Sequence, residues 1–229
     1  MILLGLTGSI GMGKSTAAAM FAAAGVPLFD ADSEVHAMQG PGGVLLPAIE
    51  AAFPGSTSER GVDRAKLGAM VFGKPEEMAR LEAIVHPAVE ARRRAFLRRH
   101  RFHRLVVVDV PLLFETGGWR KVDAVAVVSA PSAIQRRRVL RRPGMTEEKF
   151  RAILKLQMPD WEKRRRADFI IPTGCPRSRT AAAVRSLTTC LRTRGVRYCR
   201  TCGKLFSIPR RPGSIRPRVT GLSKSAVLN

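Results

Sequence analysis

The segment Gly8-Ser9-Ile10-Gly11-Met12-Gly13-Lys14-Ser15 constrains this chain more than any other feature. It fits the pattern G-x-x-x-x-G-K-[ST], in which glycines let backbone N–H groups curl around phosphate oxygens, the lysine reaches the β- and γ-phosphates, and the hydroxyl ligates Mg²⁺. Ile2 to Thr7 is a short apolar run ending at Gly8, and Lys14 to Ala24 is alanine-rich and helix-forming, so the chain opens strand, glycine loop, helix. A glycine-rich turn that merely caps a helix is the plainer alternative, and the strand before the loop argues against it. ATP or GTP binding follows.

Four more apolar runs come after the loop. Val26 to Phe29 closes on Asp30, Leu105 to Val108 closes on Asp109, and Asp123 to Val128 and Phe169 to Ile171 complete the set. Such buried-type runs, separated by helical stretches, predict an α/β fold of P-loop NTPase type. Its mainly parallel sheet is flanked by helices, and ligands sit at the carboxyl ends of the strands. The second and third runs are separated by about 75 residues, far more than one crossover helix needs, with Gly and Pro at 40–43, 54–55 and 73–75. An inserted helical substrate subdomain is expected over about 39–103. Met78, Leu81, Ile84, Val85 and Val89 recur there at helical spacing, the Arg92–Arg94 and Arg98–Arg99 clusters continue on a solvated face, and Pro87 is expected to kink or restart the helix. Residues 131–166 form another arginine-rich helical stretch, broken at Pro143-Gly144 and restarted at Thr146, a candidate N-cap. This stretch reads as a mobile, basic helical lid. The core is then 1–38, 104–130 and 167–195, with a last helix over Thr180 to Leu191.

The net charge of +22, from 40 Lys and Arg against 18 Asp and Glu, points to anionic partners. Its distribution is uneven: residues 1–168 hold 27 basic and 18 acidic side chains, and residues 169–229 hold 13 basic and no acidic ones. Residues 196–229, rich in Arg, Pro, Ser and Gly and without periodicity, read as a basic, disordered tail. The tail is either an arm for nucleic acid or membrane phosphates or a read-through of an altered reading frame, with no part in catalysis. Cys199 and Cys202 have zinc-knuckle spacing, but a structural zinc site takes four ligands and no second pair follows. Four cysteines, all beyond residue 174, make no disulfide framework, no apolar run reaches the roughly 18 residues of a membrane span, and no secretory signal is visible. A cytoplasmic enzyme needing neither membrane nor nucleic acid, monomeric or weakly self-associating, is the expectation.

A regulatory GTPase would carry N-K-x-D, which is absent, and a motor or transport ATPase needs more room than this chain has. A small-molecule kinase fits better. Asp30-Ala31-Asp32 follows the second apolar run, beside the glycine loop, and a carboxylate there can orient an acceptor hydroxyl and take its proton. One of the two is the candidate base; an Asx turn or helix N-cap is the alternative role for the other.

These residues resemble the dephospho-CoA kinase family. The resemblance runs through L-T-G-S-I-G-M-G-K-S-T at 6–16, D-A-D at 30–32, V-H-P at 85–87, V-P-L-L-F-E at 110–115, R-V-L-R-R at 138–142 and A-D-F-I-I at 167–171, covering about residues 1–195. It implies ATP-dependent phosphorylation of the ribose 3′-hydroxyl of dephospho-CoA, giving CoA and ADP, with Mg²⁺ accompanying ATP. Gly11, Met12, Gly13, Lys14, Ser15 and Thr16 would hold the ATP phosphates, Ser15 would ligate Mg²⁺, and Asp32 would be the general base. Arg142 would close over the transferred phosphate, with Arg138 the runner-up in a run crowded with arginines. Asp30, His86, Leu112 and Phe114 would meet dephospho-CoA, although a structural histidine and ordinary core packing are the plain alternatives for the last three. Asp109 is a further candidate carboxylate toward Mg²⁺ through water.

Overall fold

The computed structural model describes residues 1–196, so Cys199, Cys202 and all but the first residue of the expected tail lie outside the described residues. β1 (Ile2–Thr7) runs through the glycine loop into α1 (Lys14–Ala23), and β2 (Leu28–Asp30) follows. Next come α2 (Ala31–Gln39), α3 (Leu46–Ala52), a small hairpin of β3 (Thr57–Ser58) and β4 (Gly61–Val62), α4 (Arg64–Val71) and the long α5 (Pro75–Arg99). β5 (Leu105–Asp109), a 3-10 turn at Gly118–Lys121 and β6 (Ala124–Ser129) return the chain to the sheet. Then α6 (Ser132–Leu140), α7 (Glu147–Leu156) and α8 (Asp160–Arg166) lead to β7 (Phe169–Pro172) and α9 (Arg177–Arg194).

The main sheet has the order β2-β5-β1-β6-β7, and every pairing is parallel. Both faces are covered, which explains why its strands read as continuous apolar runs rather than alternating ones. Leu4 and Leu6 point with Val107, Ala126 and Phe21 of α1 toward Val184 and Leu187 of α9. Leu3, Val106 and Val108 pack on the other face with Phe29 and with Val89 and Phe96 of α5. The register sets Asp30 opposite Asp109 and Asp109 opposite Leu6, so two carboxylates end adjacent strands beside the glycine loop.

The insertion between β2 and β5 has its own core. Met38, Leu45, Ile49, Phe53, Leu67 and Val71 pack against Leu81, Ile84, Val85, Ala88 and Val89 of α5. α5 runs unbroken through Pro87, contrary to the expected restart. The apolar residues on both sides of Pro87 pack into one cluster, and that tertiary burial outweighs the hydrogen bond the proline cannot donate. Met78 is exposed and outside that stripe.

The stretch 131–166 is interrupted twice rather than once. Thr146 does cap α7, its hydroxyl accepting from the Lys149 N–H. A second break follows at Gln157–Pro159, because Pro159 disfavours helical backbone at the residue before it. The last helix starts earlier and ends later than Thr180 to Leu191, and the β3–β4 hairpin, two residues a strand, carried no periodicity to read. Among the described residues, no helix is long and apolar enough to cross a membrane.

Candidate active site

The loop between β1 and α1 lines a cavity of about 700 Å³. Gly13 occupies the N-cap position of α1 with φ 85°, so no side chain caps the first-turn N–H groups, and no acidic residue sits in that turn. Those N–H groups and the positive end of the helix are left for an anion. Gly11 has φ 75°, and a Cβ there would lie 2.5 Å from Val139 Cγ2 and 3.0 Å from the Gln135 carbonyl oxygen, so only glycine fits. Ser9 Oγ is buried at the cavity wall without a hydrogen-bond partner among the described residues.

Residues far along the chain hold this loop. Thr173 Oγ1 donates to the Met12 carbonyl at 2.6 Å, and Arg138 Nη2 donates to the Thr173 carbonyl at 2.6 Å. Gln135 Nε2 donates to the Ile10 carbonyl at 2.8 Å, while the Ile10 N–H donates to Gln157 Oε1 at 3.0 Å. Sequence reasoning missed Thr173, Gln135 and Gln157. Their only signal is a polar residue in a buried or half-buried place, which a sequence does not display.

Lys14 Nζ lies 2.7 Å from Asp109 Oδ1 at the end of β5. Burial pushes the Asp109 carboxyl up to about 6; Lys14 pulls it down and only partly offsets this, and the negative charges of Asp30 and Asp32 add to the rise. Asp30 and Asp32 are placed differently. Asp30 Oδ1 accepts from the N–H groups of Asp32 and Ser33 at 3.0 and 3.1 Å, making it the N-cap of α2. Asp32 is exposed and lines the loop cavity. It also lines a second cavity of about 470 Å³, shared with Ser33, His36 and Arg64, whose guanidinium hydrogen-bonds His36 Nδ1. Asp32 is thus the residue at which the two cavities meet.

Arg142, just past α6, lines the loop cavity. Arg138 lines it too, but its guanidinium is held by Thr173, and Arg136 is paired with Glu147 at 2.9 Å. Of the described arginines of 131–166 that line the cavity, Arg142 is the one without such a tie.

The other expected substrate contacts are not brought together with these. Phe114 is 4% exposed and packs with Leu113, Val125 and Val127, so its side chain is core and not cavity wall. Leu112 is exposed and lines neither cavity; Pro111 is the residue of that loop that faces the glycine loop. His86 is exposed on α5 and lines neither cavity.

The arrangement can bind a polyphosphate on backbone amides, set a lysine and an arginine on its charge, and present one carboxylate to a hydroxyl entering from the second cavity. The family model for dephospho-CoA kinase matches residues 2–175. The dephospho-CoA kinase of Novosphingobium aromaticivorans is 57% identical over 195 residues, covering 85% of this chain and 97% of that protein. That of Zymomonas mobilis subsp. mobilis is 56% identical over 197 residues, covering 86% of this chain and all of the other. A crystal structure from Thermus thermophilus superposes with a TM-score of 0.72 at 34% identity, covering 83% of this chain and 96% of that one.

Proposed function

The chain belongs to the dephospho-CoA kinase family, and from that premise we propose that it transfers the γ-phosphoryl group of ATP to the ribose 3′-hydroxyl of dephospho-CoA, giving CoA and ADP. The observation that carries the chemical reading is the position of Asp32 at the junction of the phosphate-loop cavity with the second cavity. A carboxylate there stands between a donor held on backbone amides and an acceptor coming from the helical insertion.

The site fits a nucleotide polyphosphate: the buried Ser9 hydroxyl, which has no hydrogen-bond partner among the described residues, the uncapped first turn of α1 and the main chain at Gly11 all line the same cavity. The residues also fit Mg²⁺. That ion binds through one or two protein groups together with substrate phosphates, and Ser15 lines the cavity where those phosphates would lie; Asp109, 1% exposed and paired with Lys14, does not line it and would act on the ion only through water. When bound, the ion supplies neutralisation of the phosphate charge.

Lys14 bears on the β- and γ-phosphates, kept oriented by Asp109. Asp32 accepts the proton of the 3′-hydroxyl as its oxygen bonds to phosphorus and the bond to the ADP oxygen breaks. Arg142, brought over the cavity by the helices between β6 and β7, spreads charge from the transferring group and keeps water out. The helical insertion over about 39–103 is the acceptor-binding unit, and 131–166 is the lid.

The test is product identification by mass spectrometry after incubation with ATP, Mg²⁺ and, in parallel, dephospho-CoA, nucleosides, nucleoside monophosphates and RNA. One added phosphoryl group on dephospho-CoA alone is the expected result. No product from dephospho-CoA, in protein that binds ATP, would overturn the reading.

A further inference from the structure

The junction between α7 and α8 touches both sides of the site. Gln157, immediately after α7, accepts the Ile10 N–H at 3.0 Å across 147 positions of sequence, and its side chain lines the phosphate-loop cavity. Gln135 holds the Ile10 carbonyl at 2.8 Å, so both backbone groups of this one loop residue are gripped by side chains from 131–166. Met158, the next residue, donates its N–H to Glu115 Oε1 at 2.8 Å. Glu115 lies in the loop after β5, whose Pro111 lines the same cavity.

Glu115 is itself fixed from below. Lys163 of α8 has no exposed surface, and its Nζ lies 2.9 Å from Glu115 Oε1. Burial pushes the Glu115 carboxyl up, but the contacts from Lys163 and the Met158 N–H outweigh it and hold the group below the usual carboxylate range. A buried ammonium cannot leave the carboxylate beside it cheaply, so the junction is seated on the loop after β5 by a pair that resists separation.

We infer that Gln157 is a positioning residue for phosphoryl transfer: through the Ile10 N–H it ties the tip of the phosphate loop to the α7–α8 junction, which the Glu115–Lys163 pair seats on the loop after β5. Its contact is with the loop's main chain, and it acts through that contact. The inference rests on the kinase reading for its kinetic consequence, and on contacts alone for its structural one. Donor phosphate placement then depends on where the lid sits, because a loop tip released from Gln157 keeps its first-turn amides and the Gln135 contact but loses the restraint on the Ile10 N–H.

The experiment measures hydrogen exchange of the loop segment 6–13 and steady-state kinetics in the full chain. Variants are Gln157→Leu, Gln157→Glu and Gln157→Asn, and the double substitution Glu115→Leu/Lys163→Met, which removes the buried pair without leaving a lone charge. Gln157→Leu is expected to speed exchange in the loop and to lower kcat about tenfold or more, with KM for ATP within about threefold. Gln157→Glu keeps the acceptor oxygen, so kcat recovers, while the charge beside the phosphates raises KM for ATP; a merely structural role would not split the two constants. Glu115→Leu/Lys163→Met reproduces the kcat loss, and adding Gln157→Leu to it costs no more than about twofold further. Should Gln157→Leu fold poorly, Gln157→Asn reads the same contact, since it stays polar and is too short to reach Ile10. Unchanged loop exchange with kcat within about twofold, or losses that multiply in the combined variant, would overturn the inference. Wild-type protein that does not phosphorylate dephospho-CoA would instead overturn the kinase reading, and loop exchange would still decide the tie.

Discussion

The phosphate loop and the acceptor side are built on opposite plans. Around the loop the main chain itself is held, by Thr173 on Met12, by Gln135 and Gln157 on Ile10, and by a Gly11 with no room for a Cβ. On the acceptor side, Asp32, His36 and Arg64 are exposed, and α5 carries no fully buried residue along its 25 positions. The insertion's core packs largely on itself and meets the sheet where Val89 and Phe96 reach Phe29. On the proposed reading, the difference follows from what each half recognises. Phosphate is read by backbone amides, which must stand still; an acceptor is read by side chains on helices, which can close after it arrives. Loss of a group that bears on the phosphates should therefore cost ATP binding and transfer together, release of the loop tip from Gln157 should cost chiefly transfer, and damage to the acceptor side should cost transfer without ATP binding.

The largest effect should come from the donor half. Lys14→Ala is expected to lower kcat/KM about a thousandfold or more and to weaken ATP binding with it, measured by steady-state kinetics and nucleotide titration. It also strands Asp109 without its cation, so the loss of ATP affinity belongs to the loop's own wiring. Arg142→Ala should cost about a hundredfold in kcat with ATP affinity changed only a few-fold, because Arg142 lines the cavity from outside the loop. A parallel loss of ATP affinity would place Arg142 with the donor half and blur the comparison.

A smaller effect concerns Asp109 and pH. Its folded-state value near 6 lies above the unfolded 3.8, so the folded protein holds the extra proton and loses stability as pH rises between those values. Asp109→Asn, measured without nucleotide, should flatten that slope, which amounts to at most about 3 kcal/mol across the window. The slightest change is expected at His86, exposed on α5: His86→Ala should leave kcat as it is and shift stability by less than about 0.5 kcal/mol, by thermal unfolding and steady-state kinetics.

The same contrast governs what could be read before the structure. The loop and its flanks are legible because a strand, a six-residue loop and a helix are contiguous, and the parallel sheet is legible because strands covered on both faces keep continuous apolar runs. The side chains that hold the loop are not: Gln135, Gln157 and Thr173 stand 125, 147 and 161 positions from their partners. Asp30 and Asp32 were separable only by the capping geometry of α2, which gives Asp30 to two N–H groups and leaves Asp32 at the cavity. Phe114 sits in a motif that reads as a substrate loop, yet an apolar side chain carries no mark of which way it faces, and this one faces Val125 and Val127. Pro87 misled for a related reason, since helix breaking is a local cost and the packing that overrides it is not local.

The separation of the two halves is tested most directly at Asp32, by titrating Asp32→Asn with ATP and following a single turnover onto dephospho-CoA in the same protein. The account predicts ATP affinity within about threefold of wild type and transfer slowed by about a hundredfold or more, the scale of a lost general base. Transfer at a near-normal rate would remove Asp32 from the reaction, and a fall in ATP affinity matching the fall in transfer would contradict the division between donor and acceptor sides.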